Sequence, residues 1–387
     1  MIPLEFEQRL GSNVVTGKAH VRLHCITKMG VAEHLQWERL SASAGADSIF
    51  ACDWFVRPVL EHFDQQHAYR LFVAIDANGD WYAVMPVARA NRFGRIPMKN
   101  WSNLKNANQF FGLPLVKHGY EQTFWSAFLA MLDDAPGNSF AFYAKEFPAD
   151  HRITKALFAV CDTDGRSLEI VDQYQRAMLR SGESFQRYWD EAVPKKRQKR
   201  LMTLQQQLER DHGQISYRIA GDAAALDRWI EDFLALEMGG WKGRGGSAIA
   251  SSPNSAALFR SVIRSAFSQD NIVCMALHIG KRPVAMSSYF IKSGQAFGFK
   301  NCYDDSYARY APGILLVKQI MTVLDSGDPI NFDSCANDGE DTLRHIWMER
   351  RQILNLCVGL NGWRARQQFS VAIALRRLWH SLKRHKA

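Results

Sequence analysis

The sequence predicts an α/β protein of two domains, with helices layered on mixed, mainly antiparallel strands. Three observations carry that prediction. The chain has 387 residues, 47% of them apolar, enough for two cores of ordinary size without metals or disulfides to hold them. Segments of strand-like alternation are separated by turn pairs such as Asn78-Gly79 and Ser293-Gly294, the mark of hairpins. Between them lie stretches whose apolar residues recur every three to four positions, the helical period.

In the first half, "SIFACDWFVRPVLEHF" predicts a helix from Ser48 with aromatic residues on its inner face, and "AYRLFVAIDANGDWYAVMPVARANR" predicts two strands joined at Asn78-Gly79. "NSFAFYAKEF" reads as a strand, "HRITKALFAV" as a helix and "RSLEIVDQYQRAML" as an extended stretch. A second unit opens at "SGESFQRYWDEAVPKKRQKRLMTLQQQLERDHG", where Ser181 or Ser184 caps a long helix, Pro194 interrupts it and Gly213 ends it. Its run of Lys195, Lys196, Arg197, Lys199 and Arg200 suits either bound phosphates or a solvated face. "GQISYRIAG" is a strand, and "DAAALDRWIEDFLALE" a helix with Leu226, Trp229, Ile230 and Phe233 on one side. Then come three strands in "NIVCMALHIGKRPVAMSSYFIKSGQAFGFKNCYD", an antiparallel meander, and an apolar helix opening at Pro312-Gly313. "PINFDSCA" predicts a strand, "EDTLRHIWMERRQI" a helix and "LNLCVGLN" a last strand. The expected domains are residues 1–175 and 176–365, followed by a basic amphipathic helix over 366–387.

Composition excludes several classes. No run of about eighteen apolar residues occurs, and the N-terminus lacks a basic start before an apolar core. Seven scattered cysteines without C-x-x-C spacing fit reduced thiols, so a cytoplasmic protein is expected. The net charge of +9 is a property of the tail: from Arg350 onward there are nine cations and no acids, and the other 349 residues balance at 39 of each sign. In that tail Val371, Leu375, Leu378 and Leu382 stand at helical spacing, which predicts either a helix docked on its domain or one held peripherally on an anionic membrane surface. Nucleic acid is the least expected partner, because aromatics do not interleave with the cations. No metal is expected, since His20 and His24 lie on a strand-like segment without the accompanying glutamate. Gly243 to Ala248 fits G-x-G-x-x-A on paper, but it follows a helix rather than a strand, which rules out the dinucleotide fingerprint. No G-x-S-x-G elbow occurs.

The order strand, strand, strand, helix, strand, helix, strand resembles the GNAT acyltransferase fold. "LEMGGWKGRGGSAI", "FKNCYDDSYARYAPGILL" and "FDSCANDGEDTLRHIWMERRQI" look like the BioF2-like or CelD-like acetyltransferases, relatives of the Fem peptidoglycan aminoacyl ligases that carry two GNAT-like domains in tandem. "SFQRYWDEAVPKKRQKRL" and "SIFACDWF" extend the likeness to roughly residues 45 to 360. Arg344 departs from it, standing where many relatives have lysine.

The resemblance implies tandem GNAT-like domains and an acyl-CoA-dependent N-acyltransferase. Its acceptor would be an amine of an envelope polysaccharide precursor, a sphingoid-type lipid or a small molecule. It further implies that Arg309, Tyr310, Ala311, Pro312, Gly313, Ile314 and Leu315 grip the coenzyme, although the family's Q/R-x-x-G-x-G/A is only approximated. Glu237 and Asp333 are the expected proton-transfer groups, Glu237 through partial burial, or else structural partners of Lys242 or Lys300. Lys300 and Tyr303 would stabilise charge and protonate the leaving group; Asp304 would hold Lys300 or cap the loop; Trp241 and Lys242 would meet the acceptor. His345, Cys302 and Cys335 are lesser candidates. Two alternatives stand beside this: a Fem-like aminoacyl-tRNA-dependent ligase, against which counts the lack of a long coiled-coil hairpin, and a noncatalytic assembly protein of cellulose-type polysaccharide synthesis.

Overall fold

The computed structural model describes residues 14–16, 19–25, 28–45, 48–64, 68–134, 138–180, 184–325, 330–336 and 342–384. The chain forms an α/β fold whose strands are mixed and mainly antiparallel, divided between two compact units. One takes Met1–Tyr174 together with Gln352–Ala387; the other takes Gln175–Arg351.

The first unit holds strands β1 (Val14–Thr16) and β2 (Ala19–His24), helices α1 (Val31–Ala44) and α2 (Asp53–Phe63), and strands β3 (Arg70–Ile75), β4 (Trp81–Ala90), β5 (Asn100–Asn103) and β6 (Leu115–Val116). Helix α3 (Glu121–Asp134), β7 (Ala141–Pro148), α4 (Arg152–Thr163) and the start of β8 (Leu168–Arg180) follow. Its strand order is β1-β2-β3-β4-β5-β7, with β5 and β7 parallel. The expected hairpin at Asn78-Gly79 is present as a loop in which Asp76 accepts from the Asn78 and Asp80 amides.

The second unit adds α5 (Phe185–Ala192), α6 (Lys195–His212), β9 (Ile215–Ile219), α7 (Ala223–Gly239), a single helical turn α8 (Trp241–Arg244), α9 (Pro253–Phe267), β10 (Ile272–Ile279), β11 (Arg282–Lys292), β12 (Gln295–Tyr303), α10 (Pro312–Leu324) and β13 (Asn331–Asp333). Strand β14 (Glu349–Gly359) and helix α11 (Trp363–Arg384) lead back into the first unit. The order is β8-β13-β12-β11-β10-β9, antiparallel except for the β12–β13 pair. Both units thus repeat one plan: an antiparallel meander, a parallel join across a helix, and a closing strand from elsewhere in the chain. In the first unit β14 closes on β7, and in the second β8 closes on β13.

Local chemistry explains the boundaries. Pro194 separates α5 from α6, Ser184 caps α5 by accepting from the Arg187 amide, and Gly213 at φ +100 ends α6. Ser181 lies outside the described residues. Asp222 caps α7, and Ser252 with Pro253 starts α9.

One predicted element is corrected. "EDTLRHIWMERRQI" does not form a helix: Thr342–His345 is a short 3-10 turn, and Glu349 onward is strand. Ile346 and Trp347 are buried, Trp347 packing on Phe332 with ring centroids 4.9 Å apart. Tyr188 fixes the strand start by donating to Glu349 and accepting from the Met348 amide, both at 2.8 Å. Tertiary packing overrides helical propensity here. The acidic residues just before this turn lie outside the described residues.

Candidate acyl-transfer site

Two features of β12 organise the region named by the sequence motifs. It pairs with β13 only at Gln295–Asn331, Ala296–Phe332 and Phe297–Asp333, yet runs on to Tyr303. The parallel strands therefore part. Gly298 stands where they separate: a Cβ there would lie 2.5 Å from the Ser334 carbonyl oxygen, so the close approach requires glycine. Beyond it, Cys335 turns the β13 chain away with φ +53.

The second feature is a bulge. The β11–β12 register passes from Ser288–Lys300 to Tyr289–Gly298, which inserts one extra residue into β12 and re-aims every side chain after it. Lys300 and Cys302 thereby share the face covered by α7, where the Cys302 thiol lies 3.9 Å from the Phe233 carbonyl oxygen. Tyr303 lies on the opposite face, where a Cβ on Gly313 would meet its ring at 3.8 Å. Alternation along an unbulged strand would have turned Lys300 the other way.

Glu237 falls on the buried stripe of α7, in line with Leu226, Trp229, Ile230, Phe233 and Leu234, and is only 3% exposed. A buried carboxylate is tolerable only when paired. Its Oε1 accepts from Lys242 Nζ at 2.8 Å and its Oε2 from the Ile249 amide at 2.7 Å. Lys242 Nζ also donates to the Asn301 carbonyl at 3.0 Å. The glycine-rich segment is thus a clamped turn. Gly243 packs so closely on Met238 that a Cβ would sit 1.8 Å from its carbonyl oxygen, and Arg244 pairs with Asp305 at 2.6 Å. Lys242 is thus the structural partner of Glu237 that the sequence allowed; Trp241 is 57% exposed.

Lys300 is half-buried, and burial, helped by the neighbouring Lys242 charge and opposed by Glu237, lowers its ammonium to about 8 from an ordinary 10.5. Below pH 8 the folded and unfolded forms are both charged and the cost of burial is present in full. Between pH 8 and 10.5 the unfolded chain binds more protons, so stability rises with pH. Lys300→Met should flatten that rise and add about 1 kcal/mol at pH 7, a value discounted for partial exposure. Urea midpoints of both proteins at pH 7 and pH 10 check it.

Asp304 caps the 3-10 segment Asp305–Tyr310 through the Ser306 amide at 3.0 Å and pairs with Arg282 at 2.6 Å. Although burial opposes it, these donors hold its carboxyl below the usual range. Arg309 bonds to Asp211 at 3.2 Å and to the hydroxyl of Tyr310, whose ring is buried. Ala311 adopts the left-handed conformation and Pro312 begins α10. The Ile314 and Leu315 amides both donate to the Ala311 carbonyl, and Pro312 has no N–H. Of the first-turn amides, only that of Gly313 is left without an acceptor among the described residues. Leu315 is buried in the core.

Asp333 is fully buried. Its Oδ1 accepts from the Cys335 amide at 2.7 Å and its Oδ2 from Arg351 at 3.3 Å. Burial pushes the Cys302 and Cys335 thiols up, with Glu237 and Asp333 respectively adding to the effect, which suppresses their thiolates. His345 and Arg344 are exposed in the 3-10 turn. The structure therefore gathers Glu237, Lys242 and Lys300 on one face of β12, Tyr303 and the Pro312 turn on the other, and Asp333 within the strand join. Ile249, Asn301, Asp211 and Arg351 were missed by sequence reasoning. Only Glu237 carried a signal, a carboxylate in an apolar helical stripe. Among the described residues no group of three or more His, Cys, Asp or Glu is placed to hold a metal, and no helix is long and apolar enough to cross a membrane.

Residues 195–335 match the family model of an acetyltransferase (GNAT) domain. No curated protein matches the chain in sequence. Among solved structures, FemX is similar over 89% of this chain and 98% of its own, with a TM-score of 0.55 at 5% identity. The C-terminal domain of a protein assigned as lysylphosphatidylglycerol synthetase from Agrobacterium fabrum is similar over 89% and 97%, with a TM-score of 0.50 at 11% identity. Residues 195–335 thus carry the sequence pattern of an acetyltransferase (GNAT) domain, and the chain has a fold similar to that of FemX.

Proposed function

We propose that this acyl-transfer enzyme takes its acyl group from an aminoacyl-tRNA and passes it to an amine, as a Fem-like ligase would. The observation that carries the choice of donor is the start of α6. Lys195, Lys196, Arg197, Lys199 and Arg200 crowd its first two turns with no acid among them, and Lys196, Lys199 and Arg200 are exposed. The positive end of a helix disfavours each such cation by about 0.3–1 kcal/mol. A polyanion laid across them would remove that penalty. The Pro312 turn supports the same reading, because a single uncommitted amide gives the pyrophosphate of coenzyme A little grip. Likeness in fold to FemX adds weight.

In this reading the acceptor amine attacks the ester carbonyl and the bond to the ribose oxygen breaks. Lys300, readily neutral near pH 8, takes the proton from the amine and returns it to the leaving oxygen, while Tyr303 stands on the opposite face of β12. Glu237 acts by fixing Lys242 and the turn beneath it. Acyl-CoA remains a second reading, favoured by the GNAT match over residues 195–335. Transfer from radiolabelled aminoacyl-tRNA, acetyl-CoA and a long-chain acyl-CoA separates them. Retention of tRNA should fall steeply with salt, and a K196E/K199E/R200E variant should weaken it by about a hundredfold. Binding of a thioester with no salt-dependent tRNA binding would sink the first reading and leave the second.

A further inference from the structure

Helix α11 has two apolar faces, and only one is covered. Phe369, Ala372 and Ile373 are buried against Phe93, Phe140 and Cys357. Arg376 locks that face down, donating to the Val171 carbonyl at 3.1 Å and lying over the Phe93 ring at 5.4 Å. The stripe marked by helical spacing in the sequence is turned outward: Val371 is 53% exposed, Leu375 47% and Leu378 58%. Single exposed apolar residues need no explanation, but three at i, i+4 and i+7 form a continuous strip on one helical face.

We propose that α11 seats the protein on an anionic lipid bilayer through this strip. The charge around it selects the occupant. From Arg350 onward the chain carries nine cations and no acids, Lys383, Arg384 and Lys386 among them. An outward apolar strip on a cation-rich helix matches acyl chains beneath anionic headgroups. A second copy of the same helix would bring like charges together, which opposes self-association. This inference is independent of the donor proposed above.

The test is co-sedimentation of the full chain with vesicles of phosphatidylglycerol mixed with phosphatidylcholine, and with phosphatidylcholine alone. The mixed vesicles should retain it and the neutral ones should not. V371S/L375S/L378S should lower retention about tenfold with no change in thermal midpoint, since the side chains replaced face solvent. K383E/R384E should weaken binding without altering the apolar strip. Failure of the wild type to bind anionic vesicles, or equal binding by both variants, overturns the proposal. So does a dimer that light scattering detects in the wild type, that V371S/L375S/L378S abolishes, and that forms without vesicle binding.

Discussion

Glu237→Ala should lower the free energy of unfolding by about 3 kcal/mol and abolish acyl transfer. The carboxylate is the common partner of Lys242 Nζ and the Ile249 amide, so its removal leaves the amide without its acceptor and the cation with only the Asn301 carbonyl. Lys242 keeps a 26% exposed side chain, which moderates the cost below that of a sealed pair. Glu237→Gln retains an acceptor for Ile249 and should cost about 1–2 kcal/mol. A double-mutant cycle with Lys242→Met isolates the pair and should return about 1.5 kcal/mol of coupling. If Glu237→Gln leaves stability untouched but turnover collapses, the residue acts as a base rather than as a clamp. Loss of both in parallel assigns it to positioning.

Asp333→Ala is expected to cost about 3–5 kcal/mol. This side chain is fully buried and ends the parallel pair at the point where β12 and β13 part. Its removal takes the carboxylate away from Arg351, whose side chain is 11% exposed, and frees the Cys335 amide that turns the chain away. Asp333→Asn keeps the amide's acceptor and should cost about half as much. Chemical denaturation gives both values, and turnover per folded molecule gives the role. Unchanged stability with abolished turnover in Asp333→Asn would restore a proton-transfer role to this residue.

Much of the second unit was legible because each element has its own local cause. Alternation with Gly280 and Ser293-Gly294 announces the β10–β11–β12 meander, and all three turn residues adopt positive φ. The stripe of Leu226, Trp229, Ile230 and Phe233 announces α7, and Pro312 announces α10. Three things were not legible. The bulge in β12 comes from pairing with β11, and no period in β12 alone encodes one extra residue. Arg351 reaches Asp333 from a strand eighteen positions on, a contact with no local signature. The segment around Trp347 has helical composition, yet burial against Phe332 makes it turn and strand.

The tail shows the same division. Helical spacing at Val371, Leu375 and Leu378 determined that an amphipathic helix forms, because the 3.6-residue period is a property of the backbone alone. Which of its faces meets the protein was decided by Phe369, Ile373 and Arg376 finding Phe93, Phe140 and the Val171 carbonyl. In the same way, the motifs carrying the family resemblance pointed to Glu237, Lys242, Lys300 and Tyr303 as candidate site residues. Only tertiary structure decided that the bulge would set Lys300 beside Glu237 and turn Tyr303 away. Periodicity is written into a segment, whereas facing and register depend on the partner it packs against.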